Sequence, residues 1–198
     1  MDTYKTDKKT RIIEAAMTVF SQHGLEKGKI ADVAKKAGIG KGTVYEYFRS
    51  KEDIFNAIEQ SIFDQFKLFL NEILSSPLSP TKKLKQLMDQ GLNMYMEKSD
   101  TNTIMKEIWA QSCRSKHPRN INQDLVGYYD EFQDGIKTIL QIGIDIGEFR
   151  KMNKDGVASL LMAFMDGLAL QFTVMKDTKK FIKVKGEAIE SFMRGIQK

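Results

Sequence analysis

The chain has 198 residues, of which 41% are hydrophobic and 29% charged. That balance excludes an intrinsically disordered chain and allows either one large domain or a small domain on a larger one. Its single cysteine, Cys113, excludes an intrachain disulfide framework and fits a reducing cytoplasm, and three prolines leave room for long helices. The formal charge of +5 is concentrated: residues 1–51 carry 11 Lys/Arg against 6 Asp/Glu, and the remaining residues balance. A basic segment on a neutral body attracts polyanions, nucleic acid or an anionic membrane surface.

The spacing predicts helices from end to end. The polar first ten residues have no apolar h-region and read as no targeting signal. The first helix is expected over about 7–23, with Ile12, Ala16, Val19 and Phe20 on one face and Gly24 as its stop. A short helix over about 29–37 buries Ile30, Val33, Ala34 and Ala37. Gly38-Ile39-Gly40 turns the chain into a third helix over about 41–48, anchored by Val44 and Phe48. Two short helices joined by a glycine-containing turn make a helix-turn-helix, whose second helix enters a major groove. Lys41, Gly42, Thr43, Tyr45, Glu46 and Tyr47 are left for other faces, and Gly42 permits close backbone approach.

Ser50-Lys51-Glu52-Asp53 resembles a capping box opening a long fourth helix, which stops before Pro77. Ser79-Pro80 starts the fifth, expected to run to about residue 98. The sixth, from about residue 100, aligns Met105, Trp109 and Cys113. A loop at His117-Pro118 precedes a seventh over about 122–146, ended by Gly147. The eighth, about 155–175, is the most apolar stretch, but Asp166 at its middle argues for a buried helix over a membrane span. The ninth, about 179–197, is amphipathic. The expected fold is all-α with about nine helices: a helix-turn-helix domain over 1–50 and a ligand-binding and dimerisation domain over 51–198.

The run Ile30-x-x-Val33-Ala34-x-x-Ala37-Gly38-Ile39-Gly40-x-Gly42-Thr43-Val44-Tyr45-x-Tyr47-Phe48-x-x-Lys51-x-x-Ile54, preceded by Phe20-x-x-x-Gly24, resembles the signature of TetR-family transcriptional regulators. Further on, Ile142-x-x-x-Ile146-Gly147-Glu148-Phe149-Arg150 and Asp166-Gly167-Leu168 resemble stretches common in the bodies of that family. The resemblance implies a dimeric, cytoplasmic regulator, most simply a repressor on a near-palindromic double-stranded operator, released by a hydrophobic small molecule. It implies that Lys41 and Thr43 reach bases or phosphates, that Tyr45 and Tyr47 contact phosphates or thymine methyls, and that Lys51 clamps a phosphate with the backbone N–H groups of its helix start. Glu46 is placed to accept from a cytosine or to face solvent. The chain departs from the family at Gly28-Lys29, where Ser or Thr is usual and Lys29 becomes the phosphate contact, and at Gly40, where Ser is common.

Large, soft and aromatic residues mark the expected effector cavity: Met88, Leu92, Met96, Met105, Trp109, Cys113, Tyr128, Phe132, Met162, Phe164, Met165 and Phe172. Simple core packing explains any one of them, and Cys113 by itself reads as a small buried hydrophobe. The high count of 11 methionines suits an adaptable interior. Glu107, Asp130, Asp134 and Asp166 are candidate partners for a cationic ligand, and Arg114 for an acidic one. Small Ser159, Ala163 and Gly167 share a helix face and, with Ile189, Phe192 and Ile196, form the expected dimer interface. No nucleophile–base pair, P-loop, dinucleotide fingerprint or metal set occurs, so no enzyme, cofactor or metal is expected; His23 and His117 stand far apart. A basic protein on a membrane surface, or the same fold acting as an activator or without a ligand, are the alternatives. A membrane partner is not expected, because the positive charge spans a compact three-helix unit and not one amphipathic helix.

Overall fold

The computed structural model describes residues 2–97, 99–114, 122–175 and 177–198; the loop expected at His117-Pro118 lies outside the described residues. Among these the chain is helical throughout: α1 (Asp2–Lys27), α2 (Ile30–Ala37), α3 (Lys41–Tyr47), α4 (Lys51–Ser75), α5 (Pro80–Glu97), α6 (Ser99–Arg114), α7 (Asn122–Asp145), α8 (Lys154–Met175) and α9 (Thr178–Ile196). Gly24 interrupts α1 as expected, with φ 75° and ψ 161°, yet one more turn continues to Lys27. Phe48 falls just outside α3, with extended backbone.

The described helices pack as two compact units. The first holds residues 1–65 and 98–122, hence α1–α3, the first part of α4, and α6. The second holds residues 66–97 and 123–198, hence the rest of α4 with α5, α7, α8 and α9. This division does not coincide with limits at residues 1–50 and 51–198, because α6 packs on α1. The Ser21 hydroxyl donates to Asp100 Oδ1 at 2.7 Å, and Ile104, Met105 and Ile108 are buried.

In the second unit α8 and α9 both pack on α5. Lys185 of α9 is buried, and its ammonium reaches Asp89 Oδ1 and Asn93 Oδ1 of α5, each at 2.6 Å. The segment after α7 closes this unit. Gly147 turns the chain with φ 80°, and the Phe149 ring then lies against Gly143, filling the space that a Cβ there would need. Glu148 accepts from the Thr81 N–H at the start of α5 at 2.9 Å, satisfying a donor that the helix leaves open. Arg150 N–H donates to the Ile196 carbonyl at 3.1 Å. These contacts give a packing role to the Ile142–Arg150 stretch that the sequence singled out.

Candidate nucleic-acid interface and ligand pocket

The helix-turn-helix forms because its apolar residues are few and evenly placed. Val33, Ala34 and Ala37 bury one face of α2, and Val44 is the buried residue of α3, joined by Phe48 just beyond it. Gly38 takes the left-handed conformation, φ 66° and ψ 36°, at the end of α2. Its N–H donates to Lys35 O at 3.2 Å, and the Ile39 N–H donates to Ala34 O at 3.0 Å, a glycine-closed helix end. Arg11 then fastens this corner to α1 through Ala37 O at 2.6 Å.

With Val44 and Phe48 inward, Lys41, Gly42, Tyr45 and Glu46 are exposed, while Thr43 and Tyr47 are half-buried. The Lys41 ammonium lies 5.8 Å from the Tyr45 ring centroid, so the two form one exposed cationic and aromatic surface. Among the described residues no carboxylate pairs with Lys29, Lys35, Lys36 or Lys41. Their charge is available to a polyanion. Lys29 is the residue that opens α2, exposed and with no side-chain cap. Gly28 before it is buried against Phe20, and a Cβ there would sit 2.6 Å from Phe20 Cδ1. Packing against Phe20 accounts for glycine at 28, while the cap position of α2 is Lys29.

The start of α4 is less open than expected. Ser50 Oγ accepts from the Asp53 N–H at 3.0 Å, and Asp53 accepts from the Arg49 N–H at 3.0 Å. The Glu52 carboxyl is held below its ordinary range by a hydrogen bond from its own backbone N–H, then by one from Ser50. Lys51 Nζ donates to Glu26 O at 2.8 Å, tying α4 to the end of α1. The Glu52 and Asp53 N–H groups are already taken by side chains, so a phosphate here would compete with Glu52 and Ser50.

In the second unit the residues at positions 66, 69, 91, 128, 132, 162, 165 and 166 converge from α4, α5, α7 and α8 on a small cavity of about 10 Å³. The rings of Phe66, Tyr128 and Phe132 stand 4.8–6.4 Å apart, centroid to centroid. Into this apolar surrounding α8 sends Asp166. Its Oδ2 accepts from the Tyr129 hydroxyl at 2.7 Å. Burial pushes the Asp166 carboxyl above its ordinary value, and the Tyr129 hydrogen bond opposes that shift.

Of the expected cavity residues, Tyr128, Phe132, Met162 and Met165 line this pocket. The others lie elsewhere. Met88 and Leu92 are fully buried core residues, and Met96 is half-buried near the end of α5. Phe164 stacks on Phe192 at 6.1 Å. Phe172 lies 4.6 Å from Phe181 and lines a separate cavity of about 150 Å³ with Leu168, Met175 and Val184. Met105, Trp109 and Cys113 belong to the first unit. Cys113 is exposed, correcting the expectation of a buried hydrophobe. Of the candidate charges, Glu107 pairs with Arg114 at 3.1 Å and Asp134 with Lys137 at 2.7 Å, while Asp130 faces solvent.

Helix α8 carries apolar residues on both its buried and its exposed sides. By length and composition alone it is long and apolar enough to cross a membrane, but Ala158, Leu161, Met162, Met165, Leu168 and Ala169 are buried inside the unit. Its other face exposes Ser159 and Ala163, flanked by Leu160, Leu170 and Val174, which are 59%, 49% and 74% exposed. Gly167 is half-buried on the same side. On α9, Ile189 and Ile196 are buried in the chain's own core, and Phe192 is half-buried against Phe164. The α9 stripe expected at an interface is therefore mostly internal.

Comparison with known proteins follows this geometry. Residues 12–58 match the profile described as bacterial regulatory proteins, tetR family, and residues 79–198 match that of the QacR-like protein, C-terminal region. The fatty acid metabolism regulator protein of Bacillus subtilis (strain 168) is 28% identical over 148 residues, covering 74% of this chain and 73% of its own. The crystal structure of the B. subtilis regulator FadR in complex with stearoyl-CoA superposes with a TM-score of 0.78 at 19% identity, over 95% of this chain and 99% of that one. A transcriptional regulator from Saccharomonospora viridis in complex with choline gives 0.83 at 22% identity, over 98% and 99%. At those identities the superpositions establish the fold.

Proposed function

This chain belongs to the TetR family of bacterial transcriptional regulators, and we propose that it works there as a ligand-responsive repressor, binding a near-palindromic operator as a homodimer in the cytoplasm. The carrying observation is the division of α3. Val44 and the adjacent Phe48 hold it to the unit, and Lys41, Gly42, Thr43, Tyr45 and Glu46 are left at its outer surface. A helix placed so offers its N-terminal side chains to base edges in a major groove. Lys29 and Lys41 supply the phosphate attraction, which releases counterions and makes binding salt-dependent. Lys51 contributes mainly by fixing α4 to α1.

The exposed apolar face of α8 supports the dimer. Ser159, Ala163 and Gly167 permit close approach, and Leu160, Leu170 and Val174 supply apolar area that is otherwise left in water. A two-fold dimer pairs two recognition helices with two half-sites. The aromatic pocket of the second unit supports a small-molecule effector, as do the ligands in the two related structures, stearoyl-CoA and choline. A ligand that binds better to the DNA-free state weakens operator binding, and the operator must weaken ligand binding by the same factor.

Selection from random duplexes followed by sequencing tests this, with wild type and the Lys41→Ala and Tyr47→Ala variants at two salt concentrations. The expected result is enrichment of a near-palindrome, weakened by each variant and by salt. Uniform, salt-sensitive binding without enrichment would show that α3 does not read sequence.

A further inference from the structure

We propose that Glu46 reads one cytosine in each half-site of the operator, accepting a hydrogen bond from its N4 amino group, and that the missing side chain at Gly42 lets α3 come close enough for this contact. The inference rests on the reading of α3 as the recognition helix and names a base that this helix selects.

Gly42 lies inside α3 and is not among the glycines with positive φ. A Cβ built on it would have no neighbouring heavy atom within 4 Å beyond its own helix backbone. Neither backbone conformation nor internal packing asks for glycine here, and glycine is a poor helix former. Gly28 and Gly143 differ, because Phe20 and Phe149 occupy the space that a Cβ there would need. The gap at Gly42 opens on the exposed surface of the helix, where only an outside partner can use it.

Glu46 stands four residues further on, hence on the same face and one turn along. It is exposed and is the only acid of α3. Among the described residues no lysine or arginine pairs with it, although Arg49 follows at i+3. Lys41 lies instead by the Tyr45 ring, 5.8 Å from its centroid. The carboxylate therefore keeps its acceptor positions for a partner outside the chain.

A free carboxylate brought to a duplex is repelled by the phosphates. That repulsion is offset only where the carboxylate meets a donor. In the major groove the bases present two donor groups, cytosine N4 and adenine N6. Adenine N6 lies between two acceptors, its own N7 and O4 of the paired thymine, and both repel a carboxylate. Cytosine N4 has an acceptor, guanine O6, on one side only. An acceptor-only side chain thus selects cytosine. Glutamate is also short, so the helix backbone must approach closely, and a side chain at position 42 would meet the DNA first. Glu46 accordingly contributes discrimination between sequences and not general affinity.

The test is selection from duplexes with a randomised central segment, using the full chain as wild type, Glu46→Gln and Glu46→Ala. Binding of the wild-type-selected duplex and thermal melting are then measured for Gly42→Ala. Wild type should select one cytosine per half-site. Glu46→Gln should select adenine at that position, because an amide matches adenine N6 and N7, and Glu46→Ala should be indifferent there. Replacing the cytosine should weaken wild-type binding about tenfold or more, and Glu46→Ala should bind the replaced duplex at least as tightly as wild type does. Gly42→Ala should melt no lower than wild type yet bind the selected duplex several-fold more weakly. Should Glu46→Ala not fold by circular dichroism, the Glu46→Gln selection decides. The same bases selected by all variants, or a change only where wild type does not prefer cytosine, overturns the Glu46 assignment and leaves a sequence-reading α3. Undiminished binding by Gly42→Ala, or melting below wild type, overturns the close approach. No enrichment by wild type overturns the recognition-helix reading as well.

Discussion

In the first unit the residues proposed to meet DNA lie outside. Lys41, Gly42, Tyr45 and Glu46 are exposed, and Val44 and Phe48 hold the helix that carries them. In the second unit the informative polar group, Asp166, is half-buried beside aromatic rings and methionines, and the exposed surface of α8 is largely apolar. An external reader of DNA needs a well-anchored short helix and free polar side chains. An internal ligand site needs side chains that can move apart to admit its occupant. Substitutions of the exposed residues should accordingly uncouple stability from binding in the first unit, while substitutions of its anchors should lower both.

The largest expected effect is on the anchor. Phe48→Ala should cost about 3–5 kcal/mol, the range for a buried aromatic cut to alanine, and should abolish DNA binding through loss of the helix-turn-helix. Urea unfolding alongside duplex binding measures both. Gly28→Val drives a side chain into Phe20 and should cost about 1–3 kcal/mol, as overpacking does; a fall in melting temperature checks it. By contrast Lys41→Ala, on the exposed face of the same helix, should leave stability within about 0.5 kcal/mol. It should weaken duplex binding and lower the slope of log affinity against log salt by about 1. Equal losses of stability and binding in this variant would remove the distinction between anchor and reader.

The smallest effect belongs to Asp166. Its folded-state titration lies above the ordinary carboxylate value of 3.8, so the folded state holds the proton more tightly than the unfolded chain. Stability from this group is present at low pH and is lost as pH rises from the ordinary value through the raised one. Asp166→Asn should melt slightly higher than wild type at neutral pH, and the difference should vanish as the medium is acidified through that window. A variant less stable than wild type at neutral pH would show that the ionised carboxylate is already well compensated.

The same contrast explains what the sequence disclosed. Turns, caps and the α3 anchors follow from spacing within one or two turns, so Gly38, Gly147, the Ser50–Asp53 cap, Val44 and Phe48 were legible. The pocket joins Phe66, Gly91, Tyr128 and Asp166 from four helices, and no local pattern marks Phe69 or Gly91 as part of it. Met105, Trp109 and Cys113 share a face only approximately. Each step of four residues turns the helix about 40° too far, and the series runs from buried through half-buried to exposed. An apolar stripe such as Ile189, Phe192 and Ile196 looks the same whether it covers its own chain or a partner. Here Met193 and Lys185 share the buried side and turn the stripe inward.

The most direct test of a dimeric sequence reader is the mass of its complex with the selected duplex by sedimentation velocity, for wild type and for Leu160→Glu on the exposed face of α8. Two chains on each near-palindromic duplex, reduced to weak single-chain binding by Leu160→Glu with unchanged helicity, is the expected result. One wild-type chain per duplex, or two chains in Leu160→Glu at undiminished affinity, would contradict the α8 dimer and the paired reading of the operator.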